Sequence, residues 1–200
     1  ARIDAACLPG IVIASSSSKF LPSRLSAQCA RPERVIVGHP FVPAYLVPLV
    51  EVVGGDATDP AALDWAMEFY RRVGKQPLRL KKEIESYIAN RLQHAIYLEA
   101  LSLVEQGICD YADIDDAVTW GPGLRWAVQG PVLHRHLGGG KGGVRHMIDH
   151  FGWHGASGGE GDFIDAVERR WGHVSIADLE SWRDDNLLTM LEGLTPPPRQ

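Results

Sequence analysis

Two short apolar runs near the start of the chain, "RVIVGH" (34–39) and "VPLVEVVGG" (47–55), restrict its fold more than any other feature. Both are rich in β-branched residues and too short for buried helices, and a proline-bracketed turn separates them. With the earlier run "IVIAS" (11–15) they predict three strands, the first of them a buried parallel one. A short helix opening at Pro22-Ser23 and ending near Ala30 falls between the first and second strands. Strand, helix, strand in this rhythm suits the edge of an α/β sheet.

From Thr58 onward the apolar period becomes helical. Thr58 as N-cap and Pro60 in the first turn predict a helix to Val73, closed by Gly74. "PLRLKK" reads as a short strand or extended linker. "SYIANRLQHAIYLEALSLVEQG" (86–107) is the longest helical signal, stopped by Gly107, and Asp110 caps the next helix through Val118. Further helices are expected at about 132–137, 144–151, 163–171 and 175–194. Residues 1–10 read as the end of a helix, 155–161 as a flexible loop and "TPPPRQ" (195–200) as a disordered tail. The layout is an α/β portion over 1–56, then an all-α domain over 57–200.

A net charge of −5 provides no basic surface for nucleic acid or an anionic membrane, and no apolar run approaches the length of a membrane span. The three cysteines, Cys7, Cys29 and Cys109, have neither zinc-ligand spacing nor a disulfide framework, which suits a reducing, cytoplasmic setting.

Chemistry concentrates at the ends of the predicted strands. His39 follows a strand where ligands bind in open α/β sheets, and Glu51 interrupts an apolar strand where a carboxylate needs a partner. A histidine base steadied by a carboxylate is one reading; a turn-capping His39 and a solvent-facing Glu51 is the other. In "ASSSSKF", Ser16 and Ser18 have hydroxyls suited to a substrate hydroxyl or a cofactor amide, or else form a polar turn. Asn90 is an unfavourable residue inside a helix and calls for a partner, which a ligand or a neighbouring loop would provide. Trp120 and Trp126 are core residues or aromatic faces for a quaternary ammonium group. "GGGKGG" (138–143) follows no strand and lacks the Lys-Ser/Thr ending of a phosphate loop, so it reads as a turn. His134, His136, His146, His150, His154 and His173 form no convincing ligand set; solvated helix faces, and no metal, are expected.

The motifs "SSSS…PS", "ERVIVGHPFVP", "PLVEVVGG", "ESYIANRLQ", "EALSLVEQGI" and "DIDDAVTWGPGLRWA" resemble, in order over roughly residues 1–150, the 3-hydroxyacyl-CoA dehydrogenase family. The resemblance implies part of an NAD-binding Rossmann domain followed by an all-α C-terminal dimerisation domain, hence a homodimer. It implies oxidation of the 3-hydroxyl of a small hydroxy acid with NAD as cofactor, L-carnitine first, with L-gulonate and 3-hydroxyacyl-CoA as alternatives. A catalytically silent dimerisation module is the reading from another class. His39 matches the family's base, Glu51 its carboxylate partner, Ser18 the serine on the substrate oxygen, and Asn90 the asparagine where substrate and cofactor meet. Ser16 falls on the cofactor side. Trp126, with Trp120 or Tyr87, is expected to face the trimethylammonium group of carnitine.

Three departures accompany the resemblance. Val42 stands where the family has an asparagine, so a polar contact is lost. Ser86-Tyr87 replaces Gly-Phe before the long helix. No glycine-rich dinucleotide turn follows a strand, so a truncated dehydrogenase that binds NAD poorly is expected.

Overall fold

A computed structural model of the chain describes residues 1–153, 155 and 158–195. His154, two residues of the expected loop (Ala156 and Ser157) and positions 196–200 of the expected tail lie outside the described residues. The chain forms two compact units, Ala1–Ser102 and Leu103–Gln200.

The first unit contains α1 (Arg2–Ala6), β1 (Ile13–Ser15), α2 (Pro22–Ser26), β2 (Val35–Pro40), β3 (Leu49–Gly54), α3 (Pro60–Arg72), β4 (Gln76–Arg79) and most of α4 (Tyr87–Glu105). The four strands pair in chain order; β1 is parallel to β2, β2 antiparallel to β3, and β3 parallel to β4. Alternation along each strand assigns the two faces. Ile36, Val50 and Val52 point to one side and pack on Ala62 and Ala66 of α3. Val37 and Val53 point to the other and pack with Leu80 and Tyr87. Gly38 permits a close approach on the α3 side: a Cβ there would lie 2.1 Å from the Tyr70 hydroxyl.

Several expectations need correction. The first strand is parallel but only half-buried, with Ala14 exposed, because it is the outermost strand of this sheet. Asp59, not Thr58, caps α3, its side chain accepting from the Ala61 amide. Thr58 Oγ1 instead accepts from Gly55 N–H and donates to Val35 O, both at 2.9 Å, and so pins the turn after β3. α3 packs on the sheet and β4 pairs with β3, and both lie in the first compact unit.

The second unit is helical: α5 (Tyr111–Trp120), α6 (Pro122–Val128), α7 (Pro131–Gly138), α8 (Gly143–Phe151), α9 (Glu160–Trp171) and α10 (Ile176–Gly193). Asp110 caps α5 through a reciprocal box with Asp113, as its position predicts. The glycine cluster is a turn between α7 and α8, with a short 3-10 segment over Gly140–Gly142. α6 was not among the expected helices; Pro122 occupies its first turn, where it is tolerated. One core joins Val144 and Ile148 to Ile164 and Val167, and another joins Leu133 and Leu137 to Leu179.

Candidate active site

The antiparallel ladder sets His39 directly opposite Glu51. Directly opposed residues share a face of the sheet, and the His39 Nδ1 to Glu51 Oε2 distance is 3.0 Å. Both side chains are buried, and Glu51 is 0% exposed. A carboxylate so placed needs full hydrogen-bond compensation. The other oxygen, Oε1, accepts from the backbone amides of Ile88 at 2.8 Å and Ala89 at 3.1 Å. These are first-turn amides of α4, without intrahelical acceptors and at the positive end of the helix dipole. The solvent-facing alternative for Glu51 is thus excluded.

This arrangement decides what the imidazole can do. With the carboxylate acting as acceptor on both oxygens, Nδ1 carries the proton and donates to Oε2. The lone pair is then on Nε2, which has no protein partner among the described residues. A proton taken up at Nε2 gives a cation 3.0 Å from a carboxylate already held in place. Geometrically, the pair can accept a proton at Nε2.

Tyr87 holds the imidazole from the side. Its ring lies 5.0 Å from that of His39, tilted by 33°, and its hydroxyl donates to Phe20 O at 2.7 Å. Burial first, then the charges of Glu51 and Glu83, push its phenol up to about 12. It is fully buried, so it cannot offer a face to a substrate cation; the expected cage loses this member. Ser86 and Tyr87 both adopt left-handed backbone, with φ of 63° and 54°, and this turn swings the α4 amides onto Glu51. Nothing in the sequence pattern marked Tyr87 as a support of His39; the Gly-Phe replacement was the available signal.

The other expected residues are less tightly assembled. Ser16 and Ser18 are exposed in the turn after β1, and among the described residues neither side chain has a hydrogen-bond partner. Ser17 organises that turn instead, accepting from Phe20 N at 2.9 Å. Asn90 is half-buried one residue beyond Ala89, with no side-chain partner among the described residues. Val42 is 80% exposed in the connection after His39. Trp120 and Trp126 belong to the helical unit and form no ring pair with each other among the described residues. His136, expected on a solvated face, is buried, and its Nδ1 accepts from Val144 N at 3.1 Å. His146 and His150 stack with centroids 5.8 Å apart. Among the described residues, no three His, Cys, Asp or Glu side chains gather as a metal site.

Known proteins share this arrangement of sheet and helices. The profile described as "3-hydroxyacyl-CoA dehydrogenase, NAD binding domain" matches residues 1–84. That described as "3-hydroxyacyl-CoA dehydrogenase, C-terminal domain" matches 87–160. L-carnitine dehydrogenase of Streptomyces griseus is 46% identical over 211 residues, covering 100% of this chain and 63% of that protein. Its counterpart in Streptomyces coelicolor is 47% identical over 205 residues, covering 96% and 64%. The chain therefore spans somewhat under two thirds of these relatives. A solved 3-hydroxyacyl-CoA dehydrogenase from Archaeoglobus fulgidus superposes with a TM-score of 0.68 at 20% identity, over 92% of this chain and 67% of that one, a likeness of fold. With the two profiles matching in tandem and the relatives aligning across the sheet and the helices alike, this chain belongs to the 3-hydroxyacyl-CoA dehydrogenase family.

Proposed function

We propose that this chain carries the proton-transfer machinery of an NAD-dependent dehydrogenase that oxidises the 3-hydroxyl of a small hydroxy acid, L-carnitine going to 3-dehydrocarnitine. The observation behind the reading is the His39 imidazole, oriented by Glu51 with Nε2 left as acceptor. Nε2 takes the hydroxyl proton as the hydrogen on the same carbon departs as hydride. Glu51 steadies the resulting imidazolium, and the α4 amides keep Glu51 from turning away. Ser18 is assigned to the substrate oxygen, and Trp126 to the substrate side.

NAD, when bound, supplies the acceptor for the hydride. Ser16 and Asn90 have a hydroxyl and an amide without protein partners among the described residues, which fits the carboxamide end of that cofactor. No glycine-rich turn joins a strand to a helix in these residues, so the groups that would hold its pyrophosphate are not among them.

The same reading makes the protein a cytoplasmic homodimer. Ile88, Leu92 and Ile96, spaced on one side of α4, are exposed, which supports burial against a second copy. The three cysteines are free, which accords with a reducing compartment.

The test is NADH formation from L-carnitine by the protein carrying this chain, with L-gulonate and a 3-hydroxyacyl-CoA as competitors. His39→Gln should lower turnover by about a thousandfold, the order expected when a general base is removed. An unchanged rate in that variant would eliminate the reading.

A further inference from the structure

We infer that the side of α6 carrying Arg125, Trp126 and Gln129 is a binding site for a small carboxylate, formed within the helical unit. Three atoms on this helix and its C-cap are buried without a hydrogen-bond partner among the described residues: Arg125 Nε, Trp126 Nε1 and Gln129 Oε1. Gln129, which closes α6, is itself only 1% exposed. The spacings of four and three residues set Arg125 and Trp126 beside Gln129 on one side of the helix. Buried polar groups are almost always partnered, so three orphans on one helical turn point to a ligand.

The charge of that ligand follows from the surroundings. Arg125 forms no ion pair among the described residues. α6 packs on α10, and α7 packs on α10 through Leu133, Leu137 and Leu179. Burial first, then the charges of Arg125, Arg135 and Arg183, hold the His134 imidazole below its usual range, so positive charge predominates near it. Arg183 is neutralised by Asp184 at 2.7 Å, but Arg125 has no such counter-charge. A carboxylate provides what is missing. One oxygen accepts from Arg125 Nε–H, the other from Trp126 Nε1–H, and a half-turn of the Gln129 amide presents its NH2 to either. A water molecule would satisfy the hydrogen bonds and leave the guanidinium uncompensated. Both features also argue against a quaternary ammonium group beside Trp126.

The indole N–H resonance of Trp126, assigned with Trp126→Phe, is the probe. The labelled protein is titrated with sodium acetate, L-carnitine and inorganic phosphate at constant ionic strength. Acetate and L-carnitine should each shift the resonance saturably. Arg125→Gln should weaken both by about ten- to a hundredfold, as loss of a charged hydrogen bond does. If that variant fails to fold, Arg125→Lys, which keeps the charge and lacks the Nε donor, should show the weakening instead. No shift, an equal shift in the folded variant, a response to phosphate alone, or a response to L-carnitine without one to acetate would each overturn the assignment. Neither NAD nor turnover enters the experiment, so its outcome is separate from that of the dehydrogenase reading.

Discussion

The backbone N–H of Ile88 donates to the carboxylate of Glu51 at 2.8 Å, across 37 positions of sequence. This one hydrogen bond ties the head of a long helix to the middle of a strand. Through the other carboxylate oxygen it also sets the direction of the His39 imidazole. The α4 amides thereby orient an imidazole that they do not touch.

Glu51→Gln tests that chain of contacts. A glutamine at 51 still accepts from the α4 amides, but its NH2 group faces Nδ1 and forces the imidazole proton onto Nε2. Steady-state kinetics should show kcat reduced by about a thousandfold, with little change in melting temperature. Full activity with the amide in place would show that the tautomer of His39 does not matter.

Tyr87 should make stability fall in alkali. Its phenol is raised to about 12, against 10.0 in the unfolded chain. The stabilisation is complete below the unfolded value and is lost as pH rises from about 10 through about 12, because only the unfolded chain releases that proton. Urea midpoints across this range should decline less in Tyr87→Phe, which has nothing to ionise.

Ser86→Gly should stabilise the first unit. Ser86 has φ of 63°, where a Cβ is unfavourable by about 1–2 kcal/mol and glycine loses part of that gain through chain entropy. A net gain of about 0.5–1 kcal/mol is expected from denaturant unfolding. A loss of stability would mean that the Ser86 side chain holds the turn in some other way.

His136 should make the helical unit acid-sensitive. Its imidazole is held below the usual 6.5, mainly by burial, with Glu168 acting weakly in the opposite direction. Nδ1 must stay unprotonated to accept from Val144 N–H. The contribution is therefore fully present above 6.5 and is lost as pH falls through the lower folded value. Melting temperature should drop more steeply below pH 6.5 than it does in His136→Asn.

The strands, the long helix and the His39–Glu51 contact were legible because each leaves a local mark: β-branched runs, helical period, and a charge where none belongs. Glu51 could be read only as an anomaly; that it turns inward follows from α4 amides 37 residues away, which no local pattern encodes. The same limit hid Tyr87 and His136, whose roles depend on Phe20, His39 and Val144 being neighbours in space. The partners of α3 were hidden for a similar reason. The helical period of α3 says that it is a helix, but not that Ala62 and Ala66 lie on Ile36 and Val50.

The pairing of His39 with Glu51 by ladder register has a consequence for divergence among such chains. The distance between the two side chains is set by the rungs on either side of them, and not by the length of the connection that joins the strands. A single-residue insertion inside either strand would instead turn one partner to the opposite side of the sheet and break the hydrogen bond between them.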